Sequence, residues 1–402
     1  MILVEPKRIL ITCATLEIGG IERSLLSLLR ALDPARVRVD LLLFAHSGPL
    51  LTELPPWVRL LPEAPALATF LRPVKQTMPR HPLLALARLR AKRHVRRAFP
   101  CPPCTADGAA FALLQAYWDG ALPLLPRIKT KYDTVLSYQW PHHYAAFKVR
   151  AEKKFAWVHT DFRQAALSRK KDADVWRQFD GVACVSQGVL EGFAEVHASC
   201  AQKCFVFENL LHPGELQEKA RAFVPTDMPR RGAVLLSVGR YCYAKGFDNA
   251  ILICAHLLAM GLEVTWYLIG YGSMEAELRA QIARHCLERH FIIIGKRENP
   301  YPYMAACDVY VQPSRYEGRA VAVMEALALG KPVAVTDFPT ARAQVTDGVD
   351  AKILPMEPRA AAETLAALLQ NPGELARFSR AAAARDVSGF AQLEGLYTQL
   401  GA

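Results

Sequence analysis

Between positions 72 and 97 the sequence has no acidic residue, yet it has nine basic ones: Arg72, Lys75, Arg80, Arg88, Arg90, Lys92, Arg93, Arg96 and Arg97. Other absences narrow the class of molecule. No apolar run approaches the roughly 18 residues a membrane-spanning helix needs, and even the richest stretch, from Ala320 to Leu329, carries Glu325. Glu5 and Pro6 interrupt the apolar opening, so no secretion signal is expected there. Ten cysteines are scattered along a long chain, which fits reduced thiols in the cytoplasm rather than a disulfide framework. No short-period repeat is found. With 402 residues, 52% of them apolar and 22% charged, the chain can bury at least two full-sized cores. Collagen-like, low-complexity and disordered classes are excluded.

The formal charge of +11 is unevenly placed. Residues 1–215 hold 29 basic and 19 acidic residues, whereas residues 216–402 hold 20 and 19. The 72–97 segment accounts for most of the excess, and its charge fits a nucleic acid, an anionic membrane surface or an acidic substrate. No RNP-like aromatic strand or helix-turn-helix signal accompanies it, so no nucleic-acid partner is expected. Leu84, Ala87, Ala91, Val95 and Ala98 fall on one helical stripe with Arg90, Arg93, Arg96 and Arg97 off it. Two readings follow: an interfacial helix on anionic lipid, or a solvated basic helix packed on its own domain.

Short β-rich runs alternate with helical patterns along the whole chain. Strands are predicted at 8–13, 37–44, 134–138, 155–159 and 182–186, with helices such as 21–32 and 188–195 between them. A polar, proline-interrupted connector runs from His212 to Gly232. The alternation then resumes, with strands at 233–238, 264–269, 291–294, 309–312 and 332–336 and helices at 247–260, 273–287 and 320–329. Alternating βα units imply parallel sheets covered by helices, and two blocks imply two Rossmann-like domains with a cleft between them. The expected division is 1–215, 216–385 and a terminal helix, 386–402, returning to the first domain. The last 45 residues read as Ala- and Leu-rich helix, broken near Val387 to Gly389.

Ligand chemistry in such sheets sits at the strand C-terminal ends. In the first βα turn, Gly19-Gly20 is either a plain turn or a place where backbone and a helix N-terminus approach a phosphate; it is not a GxGxxG motif. The second block opens with a strand ending in Gly239-Arg240, followed by Lys245-Gly246, so two cations can clamp a diphosphate. The fullest signal is Pro313-Ser-Arg-Tyr-Glu317-Gly318-Arg319-Ala320 running into a helix with Glu325. The neighbours of Glu325 are apolar almost all round, which predicts a buried helix and hence a partner or ligand for its carboxylate.

Taken together, Gly-Gly-Ile-Glu-Arg-Ser near the start, Gly-Arg with Lys-Gly after the middle, and Glu317 with Glu325 resemble the GT4-type retaining glycosyltransferases of the GT-B fold. Supporting stretches are Trp157-Val-His159-Thr-Asp161, Gly270-Tyr-Gly272, Asn299-Pro-Tyr-Pro-Tyr303, Cys307-Asp308 and Phe338 through Gln344. The likeness extends to members that build bacterial surface polysaccharides and lipopolysaccharides. The resemblance implies transfer of a hexose or hexosamine from a UDP- or GDP-sugar to a glycan or lipid-linked acceptor, with retention and with no metal or other cofactor. It implies that Glu325 holds the ribose and that Glu317 and His159 lie at the donor sugar. Arg240 and Lys245 would neutralise the leaving diphosphate with backbone N–H groups around Gly318 to Ala320. Gly19 and Gly20 would admit the phosphate and sugar, and Lys296 would neighbour the nucleobase. Arg319 departs from the apolar residue usual at its place, so it either adds a phosphate contact or faces solvent. A cytoplasmic enzyme, peripheral on the inner face of the membrane, is the expected setting.

Two patterns read as decoys. Asp172-Ala-Asp174 spells the D-x-D of metal-dependent transferases but sits in a charged stretch that reads as a solvated helix start. Cys101-Pro-Pro-Cys104 has zinc or redox spacing without a matching second pair. The rival functions are another enzyme of the same fold, such as a nucleotide-sugar epimerase or phosphorylase, and a non-catalytic nucleic-acid binder.

Overall fold

The computed structural model describes residues 5–98, 106–165 and 167–402; Cys101 and Cys104 lie outside them. The chain divides into two compact units, one of Met1–Asn209 with Phe390–Ala402 and the other of Leu210–Gly389.

The first unit is built on seven strands: β1 (Lys7–Cys13), β2 (Val37–Leu43), β3 (Arg59–Leu60), β4 (Lys131–Ser137), β5 (Arg150–Val158), β6 (Gly181–Cys184) and β7 (Cys204–Val206). All pair in parallel, in the order β3-β2-β1-β4-β5-β6-β7. The apolar run of β1 is buried from Ile9 to Cys13 because helices cover both faces of a parallel sheet. Asp40 is the exception inside β2, and its buried carboxylate is satisfied by Arg59 at 2.7 Å, Tyr132 Oη at 2.8 Å and Arg8 at 3.3 Å. The Leu393–Leu400 helix belongs to this unit: Tyr397 Oη accepts from the Asp33 N–H at 2.7 Å, and Glu394 pairs with Arg36 at 2.8 Å.

The second unit carries β8 (Ala233–Arg240), β9 (Val264–Tyr271), β10 (Phe291–Gly295), β11 (Val309–Gln312), β12 (Val333–Thr336) and β13 (Ala351–Leu354), ordered β10-β9-β8-β11-β12-β13 and again all parallel. Its strands show why a continuous apolar run is needed. Val234, Leu236, Tyr267, Ile269 and Tyr310 enter one core, while Leu235, Trp266, Leu268, Val309 and Val311 enter the other, on the opposite face.

Three features depart from the sequence reading. The 2-residue β3 and the strands β7 and β13, at the sheet edges, carry too little pattern to be found from periodicity. The 212–232 connector begins with a helix, Pro213–Ala220, started by a proline at its first position. The C-terminal helix is broken earlier than expected as well as at 387–389. Asn371 caps the Pro372–Ala384 helix through its side chain, ending the preceding Pro358–Leu369 helix.

Candidate active site

On the second unit, four strand ends place the predicted donor residues. β8 and β9 run side by side to Gly239–Gly270 and Arg240–Tyr271. Gly270 has φ of 150°, and a Cβ there would lie 1.8 Å from the Gly239 carbonyl oxygen, so only glycine lets the two strands finish this closely. Arg240 projects from the end of β8, exposed and with no ion pair among the described residues.

After β8 the chain makes a short 3-10 turn, Tyr243–Lys245, ending at Gly246. Gly246 has φ of 62°, and a Cβ would fall 2.1 Å from the Pro313 carbonyl oxygen. That contact sets the Lys245 turn against the Pro313–Ala320 loop. Arg315 locks the two together: its backbone N–H donates to the Ala244 carbonyl at 2.8 Å, and its guanidinium reaches the Tyr243 carbonyl and Asp248 at 2.6–2.9 Å.

The result brings together two residues predicted separately. Lys245 Nζ lies 2.7 Å from Glu317 Oε1. The same oxygen accepts from Ser314 Oγ at 2.6 Å and from Gln312 Nε2 at 3.2 Å. Gln312 is in turn oriented by Tyr310 Oη, which donates to its Oε1 at 2.7 Å. Gln312 and Ser314 are fully buried, at the end of β11, so three donors converge on one carboxylate oxygen while Oε2 takes none of these bonds.

The Val321–Ala328 helix follows with no side-chain N-cap. It is buried on nearly all sides, as its composition predicts, and Glu325 is 4% exposed within it. The partner its burial demands is Tyr301, whose hydroxyl donates to Oε1 at 2.7 Å. Lys296 is exposed above the Tyr271 ring, 4.8 Å from its centroid.

At this turn one expectation is corrected and one of two alternatives is removed. The Ala320 N–H is already bonded to Gln344 Oε1 at 2.7 Å, so it is not a donor left for a diphosphate. Its place is fixed with Thr340, which donates to the Glu317 carbonyl at 2.9 Å and accepts from Gln344. Arg319 does not simply face solvent; it is half-buried, with Nη2 3.5 Å from Met324 Sδ. Gly318 is buried beside it.

On the first unit, Gly19 is extended (φ −164°, ψ 164°) and caps the Gly20–Ala31 helix without a side chain. The Glu22 carboxylate occupies the room beside it: a Cβ on Gly19 would lie 2.3 Å from Glu22 Oε2. Gly20 is exposed. His159 lies just beyond β5, which ends at Val158 rather than including it. Its Nε2 is 2.9 Å from the Tyr138 carbonyl. A carbonyl only accepts, so Nε2 carries the proton and Nδ1 keeps a lone pair. Burial lowers the ring to about 4 despite the carbonyl's opposing pull, leaving it neutral at pH 7.

The D-x-D reading is corrected in the same unit. Asp172 is fully buried, not solvated: Oδ2 accepts from Trp176 Nε1 at 2.7 Å and His197 Nε2 at 2.9 Å. Asp174 turns outward to Arg177 at 2.8 Å, so the two carboxylates do not converge. The two donors, Trp176 and His197, hold Asp172 inward and are themselves packed with Phe162 and Phe193.

Sequence reasoning missed Gln312, Ser314 and Arg315 as parts of the site. One signal was available: a glutamine closing the apolar strand Val309–Gln312 is a polar group in a buried position that needs a partner.

Residues 219–385 match the family model described as glycosyl transferases group 1. A Campylobacter jejuni N-acetylgalactosamine-N,N'-diacetylbacillosaminyl-diphospho-undecaprenol 4-alpha-N-acetylgalactosaminyltransferase is 30% identical over 152 residues, 38% of this chain and 40% of that protein. The Rhizobium meliloti lipopolysaccharide core biosynthesis glycosyltransferase LpsE is 26% identical over 40% of this chain and 45% of its own. The aligned stretches thus span less than half of these relatives. In three dimensions the likeness covers nearly everything. Anabaena HepE, solved in complex with UDP, has a TM-score of 0.63 at 19% identity, covering 98% of this chain and 99% of that one. WaaG, a glycosyltransferase involved in lipopolysaccharide biosynthesis, has a TM-score of 0.61 at 14% identity, covering 96% and 98%. The two parallel-sheet units are those of the GT-B fold, and residues 219–385, which hold every donor-side candidate from Arg240 to Glu325, match the glycosyl transferases group 1 family model.

Proposed function

We propose that the chain is a retaining glycosyltransferase. It moves a hexose or hexosamine from a UDP- or GDP-sugar to a growing glycan or lipid-linked acceptor, in bacterial surface polysaccharide or lipopolysaccharide synthesis. The observation that carries the reading is the convergence of Lys245, Ser314 and Gln312 on Glu317 at the strand ends, ahead of a helix that buries Glu325. The names of the Campylobacter and Rhizobium relatives support the lipid-linked or polysaccharide acceptor, and the UDP complex of Anabaena HepE supports the donor class.

Departure of a nucleoside diphosphate places negative charge on its phosphates. Arg240, Lys245 and the N-terminus of the Val321–Ala328 helix stabilise that charge as it develops. With the cationic role taken by side chains, the reading assigns no step to a metal or other cofactor. Glu325, held by Tyr301, binds the ribose hydroxyls. Glu317 uses Oε1 for its three protein donors and presents Oε2 to the donor sugar. His159 is neutral and offers a sugar hydroxyl the lone pair on Nδ1. Gly19 and Gly20 give the phosphate and sugar close access to backbone, and Lys296 lies toward the nucleobase.

Retention is assigned to front-face attack, the acceptor proton passing to the leaving phosphate. Neither glutamate is given the part of a covalent nucleophile: Glu317 is held by a lysine and Glu325 by a tyrosine inside a buried helix, unlike the facing carboxylate pair of retaining glycosidases. Among the described residues no helix is long and apolar enough to cross a membrane. The proposed setting is the cytoplasmic face, with the enzyme peripheral to the membrane, which the diphospho-undecaprenol acceptor in the Campylobacter relative's name supports.

A donor panel read by released nucleotide tests the assignment. Lys245→Ala and Glu325→Ala should each raise the donor KM about 10- to 100-fold or abolish turnover, the range expected for losing a hydrogen bond to a charged group. Near-normal kinetics in both variants would overturn it.

A further inference from the structure

The apolar stripe of the Pro82–Ala98 helix faces its own unit, the second of the two readings its sequence left open. Leu84 and Ala91, on the predicted lipid-facing stripe, are 3% and 4% exposed. Ala87 and Val95 are half-buried with them, against the Ala106–Ala121 helix. Arg88 also points inward, donating to the Thr69 carbonyl at 3.1 Å, and Arg72 is paired with Glu63. That stripe is therefore part of the unit's own core.

The opposite face is open. Leu83, Leu86, Arg90, Arg93 and Arg97 are all exposed, and their spacing of three, four, three and four residues keeps them within an arc of about 80° on a helix of 3.6 residues per turn. Leu83 is 62% exposed and Leu86 38%, and the segment just before adds Leu71 at 47% and Met78 at 43%. Large apolar side chains thus gather at one end of a stripe that continues in arginine. None of Lys75, Arg80, Arg90, Lys92, Arg93, Arg96 and Arg97 has an ion pair among the described residues, and the 72–97 segment has no acid to supply one.

We infer that this stripe docks the first unit on an anionic lipid leaflet, Leu83 and Leu86 entering the acyl boundary and Arg90, Arg93 and Arg97 lying at the headgroup phosphates. Charge complementarity selects an anionic occupant, and the leucines select among anionic ones. A nucleic-acid backbone has no use for two exposed leucines in line with the arginines, whereas an interfacial helix requires both kinds of side chain on its membrane side. Arginine suits the junction, since its apolar stem follows the acyl boundary while the guanidinium stays with the phosphates. The inference extends the proposed peripheral setting by naming the surface, and it stands whether or not the sugar chemistry is right.

Sedimentation of the full chain with vesicles tests it without any donor or acceptor. The protein should bind phosphatidylglycerol-containing vesicles, release in high salt, and ignore vesicles of phosphatidylcholine alone. An arginine near an anionic surface contributes roughly a fivefold factor in partition. Arg90→Gln with Arg93→Gln and Arg97→Gln should therefore weaken binding on the order of a hundredfold, and Leu83→Gln with Leu86→Gln should weaken it tenfold or more. The control is Lys92→Gln with Arg96→Gln, equal in kind of charge but off the stripe, which should lose only a few-fold. Circular dichroism verifies that each variant is folded. Unchanged sedimentation of the triple variant, or a loss in the control as large per charge as on the stripe, would overturn the inference.

Discussion

Replacing Lys245 by Met removes the ammonium 2.7 Å from Glu317 Oε1 and leaves a side chain of similar length. The two side chains are 20% and 10% exposed, so the pair is largely withdrawn from water. Removing one partner of a fully buried pair costs about 3–5 kcal/mol, because the remaining charge is uncompensated. Here Ser314 and Gln312 still donate to the carboxylate and some solvent reaches it. The expected loss is therefore about 2–3 kcal/mol. Glu317→Gln should cost less, about 1–2 kcal/mol, because the more exposed ammonium can turn to water. The double variant has no charge to strand and should recover most of the sum, giving a coupling energy of about 1.5–3 kcal/mol.

The assay must follow the second unit alone, and the sequence supplies a reporter. Of the six tryptophans only Trp266 lies in that unit; it is fully buried and donates to Ser237 at 3.0 Å. Urea unfolding followed by the Trp266 resonance of fluorotryptophan-labelled protein gives the four stabilities of the cycle. Additivity within about 0.5 kcal/mol would refute the pairing, since independent sites behave that way.

The first unit yields two further predictions. Burial holds His159 at about 4, below the 6.5 usual for a histidine, so between those limits the unfolded chain binds a proton that the native one refuses. The stability it contributes is complete above about pH 6.5 and falls as pH drops toward 4, by at most about 3 kcal/mol. His159→Gln, which retains an N–H for the Tyr138 carbonyl, should flatten that part of the stability profile in urea melts at stepped pH; an unaltered slope would count against it. Asp172→Ala strips the acceptor from Trp176 and His197, both buried, and should cost about 2–4 kcal/mol in urea unfolding. A solvated helix-start residue would cost about 1 kcal/mol or less, so a small effect would restore the reading that the structure displaced.

The division between what the sequence carries and what it does not follows the range of the interactions. Strand runs such as Ile9 to Cys13, and the burial of the Val321–Ala328 helix, are local: composition and period state them directly. What covers the apolar stripe of the Pro82–Ala98 helix is not local. Its core side is chosen by the Ala106–Ala121 helix, and small alanines pack there as well as larger residues do, while two leucines are left outside. A hydrophobic count along the helix finds the buried stripe but does not say whether a neighbouring helix or lipid covers it. Asp172 shows the same effect for charge: His197, 25 residues on, and Trp176 decide its burial, while the nearby Lys171 and Asp174 are exposed or outward-facing.

The candidate site lies at the limit of this rule. Spacing alone distinguishes Glu325, because an acid inside an apolar helix is conspicuous; it cannot reveal that Tyr301, 24 residues earlier, supplies the hydrogen bond. Glu317 is less conspicuous, and what makes it chemically distinct comes from outside its own loop. Lys245 approaches across 72 residues because Gly246 lets its turn rest on the Pro313 carbonyl, and Gln312 is aimed by Tyr310 from within β11. All three donors then choose the same oxygen. A carboxylate fixed from one side in this way is prevented from rotating, which is the requirement for presenting its second oxygen to a substrate at constant geometry. The motif identifies the acid, but the orientation that would make it useful is written in residues the motif does not contain.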